Sequence, residues 1–385
     1  MMKTRFLTFM ALVLGMASCQ KDFAPSAIFG GEVNVNLAVA VPDILSSTRT
    51  DGNAQSHLDS AYGAIDYLDG ALAGDDRKDW GDVDIRYSLE IYDAQKLDKP
   101  IKDRMVIIKD KYEPVNFTLR LIAGREYRFA IFADFVPQGE FAKPIDYSKQ
   151  GDLGYRHTIG DNLSAITIKQ DVDALNDEIA DAYFIRFNYT PENETQNNVE
   201  EIILTRPYAK VRVVATDLAD LNLNVHPKYI NIKYDSDVVI PTSFNAVTGA
   251  ISGDKVVENK SISYEYVDSI RYKRSEHTYN ADYDAKTTKA DNGTVRASHL
   301  TLFTDYILAV GGEHTPISFT MTVLDAAKAK IKEVEFNTQI PIERNYLTTI
   351  VGNVLTTETE VEVTINDDFA NAKNPEDAPF YEEVE

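Results

Sequence analysis

Cysteine is almost absent: Cys19 is the only one in 385 residues. That excludes a disulfide framework and leaves a cysteine-based metal site without ligands. Basic residues are scarce as well, 39 against 61 acidic ones, for a formal charge of −22. Affinity for nucleic acid comes from cations that neutralise phosphates, so no nucleic-acid partner is expected. The surplus of carboxylates keeps a chain soluble and self-repelling. Beyond the N-terminus no segment is long and apolar enough to cross a membrane, which takes about 20 predominantly apolar residues in a helix.

Local catalytic signatures are also missing. There is no nucleophile elbow, phosphate-binding loop or dinucleotide fingerprint. The histidines, His57, His157, His226, His277, His299 and His314, are scattered and form no H-E-x-x-H pair. Carboxylates are so plentiful that a pair can be found anywhere, and the separation on which glycoside hydrolysis depends is spatial. The run Asp75, Asp76, Asp79, Asp82 and Asp84 lacks the ligand spacing and closing Glu of a calcium loop, and reads as a solvated loop. One Trp beside 21 Tyr and 17 Phe is thin for a sugar-binding cleft; strands use Tyr and Phe for cross-strand packing. No catalytic residue, metal ligand or cofactor is assigned, and a non-enzymatic protein is expected.

What is present begins at the N-terminus. Lys3 and Arg5 precede an apolar stretch from Phe6 to Val13, extended through Leu14 and Met16. Small residues Ala17 and Ser18 follow, then Cys19 and the polar Gln20, Lys21 and Asp22. This order marks residues 1–18 as a cleaved secretory signal rather than a membrane span. Met16-Ala17-Ser18-Cys19 resembles the bacterial lipobox, which implies acylation at Cys19 and a membrane anchor strong enough to be stable.

Strand signals dominate the rest. From Val33 to Val41 every odd residue is apolar, the period of a strand with one buried face. Further runs are Val83 to Tyr92, Val115 to Leu121, Tyr127 to Val136, Ala182 to Tyr189, Glu201 to Leu204 and Ile202 to Thr216. Others are Val238 to Ile240, Ser261 to Tyr266, Leu300 to Val310, Ile317 to Leu324, Tyr346 to Leu355, and the alternating Val361, Val363 and Ile365. Gly, Pro, Asn or Asp bound them, as in antiparallel sandwiches. Helical spacing occurs at Ala61, Ala64, Ile65, Leu68 and Leu72, and again at Val172, Leu175, Ile179 and Ala182. The length predicts about two domains. The polar stretch from Thr190 to Glu200 reads as a long hairpin or the approach to a domain boundary, and the expected domains are 19–200 and 201–385. The expected fold class is all-β, two tandem antiparallel β-sandwiches with a few short helices.

Three segments then carry a resemblance. Arg344-Asn345-Tyr346-Leu347-Thr348-Thr349-Ile350-Val351-Gly352-Asn353-Val354-Leu355-Thr356 looks like the C-terminal signature of Bacteroidetes fimbrillins, lipoprotein precursors of type V pili. Leu204 to Val213 is similar to the opening strand of their second domain, and Tyr127 to Asp134 to a strand of their first. The resemblance implies transthyretin-like sandwiches and assembly by strand exchange. An arginine-specific protease cuts after the first strand, that strand leaves, and a strand from another pilin subunit, in a homo- or heteropolymer, takes its place. Here the leaving strand is Val33 to Val41, the cut falls between Arg49 and Thr50, and the donor strand is Glu360 to Asn366 with Val361, Val363 and Ile365 as plugs. The implied location is the outer membrane or cell surface, with the mature form in a fimbrium and a host or bacterial surface as ligand. The alternative is a surface glycan-binding lipoprotein that never polymerises, marked by an exposed aromatic platform. Asp59-Ser60-Ala61 and Asp268-Ser269-Ile270 resemble a short O-glycosylation signal, with Ser60 and Ser269 as acceptors.

Overall fold

The alternation at the start of the chain is realised as a strand with one face closed. In a computed structural model Val33, Val35, Leu37, Val39 and Val41 are all buried, with exposed or half-buried residues between them. The structure describes residues 30–41, 83–109, 114–137, 152–154, 156–169, 175, 180–193, 196–215, 217, 229–255, 260–263, 288–289, 295–296, 300–356, 360–366 and 380–381.

The strands of the first half are β1 (Glu32–Ala40), β2 (Val83–Asp93), β3 (Met105–Lys109), β4 (Val115–Ile122) and β5 (Tyr127–Pro137). They continue with β6 (Asp152–Leu153), β7 (His157–Ile159), β8 (Ile166–Ile168), β9 (Ala182–Tyr189) and β10 (Gln196–Ile203). The second half holds β11 (Tyr208–Ala215), β12 (Tyr229–Tyr234), β13 (Ile240–Asn245), β14 (Ala250–Lys255), β15 (Lys260–Ser263), β16 (Thr288–Lys289) and β17 (Val295–Arg296). It ends with β18 (Leu300–Leu308), β19 (Thr315–Leu324), β20 (Lys330–Ile342), β21 (Leu347–Asn353), β22 (Glu360–Asn366) and β23 (Phe380–Tyr381). The fold is all-β, and the described residues contain no α-helix. The helical spacing at Ala61 to Leu72 lies outside the described residues; of the second, Leu175 is buried and Ala182 opens β9 instead.

The first half is layered three deep. Sheet β10-β1-β4 packs on sheet β3-β2-β5-β9 through a core that includes Leu37, Tyr87, Phe117, Phe129 and Ile131. The opposite face of the second sheet is covered by a third, ordered β14-β13-β8-β7-β6. Strands β2 and β5 are therefore buried on both faces. The third sheet draws from both halves of the chain, joined where Ser243 and Phe244 pair with Thr167 and Ile166. Beneath it lies a separate core containing Tyr92, Phe132, Ile166, Phe184, Tyr208 and Phe244. The second half packs sheet β18-β11-β21-β22-β23 against sheet β15-β12-β19-β20 around Val211, Val213, Ile232, Phe303, Phe319 and Phe336. Strand β10 runs across residue 200 and belongs to the first half's outer sheet.

One arrangement recurs. Strand β1 lies between antiparallel β4 and parallel β10, and β11 lies between antiparallel β18 and parallel β21. In each half the opening strand is interior to its sheet, with a neighbour on both edges. In the second half β21 carries β22 on its other side.

Candidate functional site

Strand β1 fills a groove whose walls are two ladders. It pairs with β4 from Glu32↔Ile122 to Val39↔Val115 and with β10 from Asn34↔Gln196 to Ala40↔Ile203. Its ends are tied as well: Gly30 N–H donates to the Ala123 carbonyl (2.9 Å) and Leu204 N–H to that of Ala40 (2.8 Å). The five inward side chains, Val33, Val35, Leu37, Val39 and Val41, are 7, 0, 0, 0 and 7% exposed. On the outer face Asn36 Nδ2 donates to Asn198 Oδ1 (3.1 Å) and accepts at Oδ1 from Thr118 Oγ1 (3.2 Å). Loss of β1 would uncover the five apolar positions and leave both ladders without partners, the condition under which a sheet takes up a foreign strand.

Of the residues singled out in the sequence, Cys19, Arg49 and Thr50 lie outside the described residues, as do Ser60, Ser269 and Asp75 to Asp82. Asp84 is not in a solvated loop but buried on β2. Val361, Val363 and Ile365 are on β22, paired with β21 from Asn353↔Glu360 to Leu347↔Asn366. Val363 and Ile365 are buried, and Val361 packs against the same core. Short β23 pairs with the other edge of β22 at Val363 and Thr364. Among the described residues the exposed large apolar side chains are Ile101, Ile203, Val239 and Val310, none of them aromatic.

The three segments that carried the resemblance meet at the joint between the halves. Arg344 and Asn345 form the turn between β20 and β21, and Asn345 takes a left-handed conformation (φ 65°). Its side-chain oxygen accepts from Arg206 N–H (2.9 Å), and its own N–H donates to the Tyr208 carbonyl (2.8 Å). Arg206 is buried and paired with Asp181 (2.7 Å), its guanidinium 4.8 Å from the Tyr183 ring centre. Arg344 donates to the carbonyls of Ala309 and Gly249, both at 2.8 Å, across the rings of Phe184 and Phe244. The far end of that signature is held by Asp217, whose carboxylate accepts from the N–H groups of Val354 (3.2 Å), Leu355 (2.9 Å) and Thr356 (2.7 Å). Asn345→Ala is expected to cost about 1–3 kcal/mol, from the lost bond to Arg206 and the strained φ. Asn345→Gly relieves the strain but still lacks the bond, so urea midpoints of the two variants separate the contributions.

A buried polar chain passes through the same joint. Arg86 grips Asp134 with two hydrogen bonds (2.9 and 2.8 Å), both side chains 0% exposed. His157 Nδ1 is 3.6 Å from Asp134, and its Nε2 is 2.6 Å from the Tyr208 hydroxyl on β11. Burial works to raise the Asp134 carboxyl, but the Arg86 guanidinium, helped by His157, outweighs it and holds the group below the usual carboxylate range. Burial pushes the Tyr208 phenol well up. The Asp-His-Tyr order resembles a nucleophile relay, but Asp134, His157 and Tyr208 are 1, 2 and 3% exposed and packed between sheets, so the Tyr208 oxygen presents no open surface to a substrate. Nearby, Glu90 pairs with Arg104 (2.8 Å), accepts from the Tyr92 hydroxyl, and accepts from Leu163 N–H (2.8 Å). These charges lie between two sheets and are compensated there, as buried charges must be. Among the described residues no cluster of three or more His, Cys, Asp or Glu is arranged to hold a metal ion.

Comparison with known proteins adds the following. No curated protein matches the chain. A fimbrial assembly protein from Parabacteroides distasonis aligns over 91% of this chain and 98% of its own, with 11% identity and a TM-score of 0.40. A proposed cell adhesion protein from Bacteroides ovatus aligns over 87% and 97%, with 11% identity and a TM-score of 0.42. A proposed polysaccharide binding protein (DUF1812) from Bacteroides thetaiotaomicron aligns over 87% and 96%, with 11% identity and a TM-score of 0.36. Residues 26–381 match a family of unknown function, DUF6562, and the chain belongs to that family.

Proposed function

We propose that this chain is a lipid-anchored cell-surface precursor of a fimbrial adhesin subunit, non-enzymatic, which exchanges its first strand for one supplied by a neighbour. The observation that carries the reading is the place of β1. It is the central strand of its sheet and, with Val41 just past its end, buries five side chains, yet among the described residues it precedes every other strand. A single cut between Arg49 and Thr50 therefore leaves β1 held by hydrogen bonds and packing alone. Cys19 lies on the same side of that cut, so when β1 then leaves, the groove opens and the subunit is free of its anchor. The vacated groove then pairs with an extended strand by β-augmentation. An arginine-specific protease, the outer membrane and other pilin subunits are the partners this scheme requires, with a host or bacterial surface as the adhesive target.

Digestion of the mature protein with an arginine-specific protease, followed by N-terminal sequencing, tests it. A new terminus at Thr50 is expected, and a labelled peptide of residues 31–42 should enter the cut protein but not the intact one. Resistance at Arg49, or a cut protein that refuses the peptide, overturns the reading.

A further inference from the structure

We infer that the strand replacing β1 comes from a different polypeptide, one carrying five apolar side chains at alternate positions, and not from β22 of another copy of this chain. The inference rests on the exchange reading above and names the partner that reading leaves open.

The groove states its own requirement. Its five inward positions are filled by Val33, Val35, Leu37, Val39 and Val41, none more than 7% exposed. Side chains on a strand alternate strictly, so a replacement must present five apolar residues at i, i+2, i+4, i+6 and i+8. Strand β22 presents three, Val361, Val363 and Ile365. In the same alternation Thr357 and Thr359 precede them, and Asp367 and Phe369 follow. Every five-position frame that contains all three therefore includes two threonines, or one threonine and Asp367, or Asp367 and Phe369. Reversing the strand direction changes the order and not the content. A threonine in place of valine carries a hydroxyl into an apolar position, and an unpaired carboxylate there is worse.

A second observation points the same way. Strand β22 is not a loose end: it pairs with β21 along seven residues, and β23 lies on its other edge. Val363 and Ile365 are 6 and 2% exposed within the core of the second half. Donating β22 would open that core in addition to the one that β1 vacates. The chain is thus built to accept a strand and poorly built to give one, which makes it a partner in a heteropolymer.

The test uses the full mature chain with a site for a sequence-specific protease inserted after Arg49, so that the cut is certain. Peptides compete for the groove against a labelled peptide of residues 31–42. Each valine-sized position left without its apolar side chain is worth about tenfold in affinity. The peptide of residues 356–370 should therefore compete about 100-fold more weakly than the unlabelled peptide of residues 31–42. The same peptide carrying Thr357→Val and Thr359→Val should recover to within tenfold. Cut protein alone should stay free of higher oligomers. A deficit smaller than tenfold for the unmodified terminal peptide, no recovery by the valine variant, or oligomer ladders from the cut protein alone each overturn the inference while the exchange reading stands. If the peptide of residues 31–42 itself fails to enter, the exchange reading falls and this inference with it.

Discussion

Arg86→Met is expected to destabilise the protein by about 3–5 kcal/mol, the size of effect seen when one member of a buried ion pair is removed. The two hydrogen bonds from Arg86 to Asp134, at 2.9 and 2.8 Å, join β2 to β5 on the face covered by the third sheet. Without the guanidinium, the carboxylate remains between two packed layers, 3.6 Å from His157 Nδ1. The double variant Arg86→Met/Asp134→Leu removes both charges and should recover most of the loss, because an apolar pair of similar volume is often as stable as the ion pair it replaces. Denaturant midpoints of the wild type and of the single and double variants read this directly. A single-variant loss below about 1 kcal/mol would mean that water reaches Asp134, and that the third sheet does not seal this face.

The same pair sets an acid limit. Asp134 is held below the ordinary carboxylate range in the folded protein, with burial opposing and Arg86 prevailing. A depressed folded pKa stabilises fully above the unfolded value, near about 3.9, and the contribution fades as pH falls through the folded value. The wild type should therefore lose stability below about pH 4. The double variant, lacking this group, should lose less over that interval.

These buried charges explain where the sequence could be read and where it could not. Strands β1 and β4 have one face in a core and one outside, so their alternation is plain: Val33 to Val41, and Val115, Phe117, Leu119 and Leu121. On β2 the polar Asp84, Arg86, Ser88 and Glu90 occupy what reads as a solvent face, yet all are buried beneath the third sheet. That sheet was not legible. Strands β6, β7 and β8 have 2, 3 and 3 residues, too few to show a period, and β8 finds its partner β13 across the middle of the chain. Strand β20 was missed for another reason. Lysines and glutamates crowd its start, and its ladder with β19 shifts register, Phe336 opposite Phe319 but Ile340 opposite Ile317. Val334, Phe336, Ile340 and Ile342 are buried in the core and Ile331 packs against it, a pattern dispersed among charges. At Val238 to Ile240 the reverse holds: an apolar run reads as a strand, but β13 begins at Ile240.

The joint shows the same division. The segments at Tyr127, Leu204 and Arg344 stood out individually, but nothing local announces that they converge. Asn345 meets Arg206 across a separation of 139 residues, and His157 meets Tyr208 across 51. His157 looked like one of six scattered histidines because its partners come from β5 and β11. The groove, by contrast, was legible in kind and in count. Strict alternation gives both the strand and its five inward residues, and the same rule counts the three on β22.

Leu37→Ala is expected to cost about 2–5 kcal/mol, the range for deleting a large aliphatic side chain from a closed core. Leu37 is the middle of the five inward residues, fully buried and packed in the first core. Loss of that size alone is common to core residues, so the informative readout is what happens after exchange. Once the chain is cut at Arg49 and β1 is displaced by an unmodified peptide of residues 31–42, the variant residue has left with its strand. The loaded variant should then unfold at the wild-type midpoint. Val213 on β11 provides the contrast, because it is equally buried in a strand that also lies between one antiparallel and one parallel neighbour. No cut at Arg49 detaches β11, so the cost of Val213→Ala must persist whatever peptide is supplied. A loaded Leu37→Ala protein that keeps its deficit would show that the original strand never left the groove.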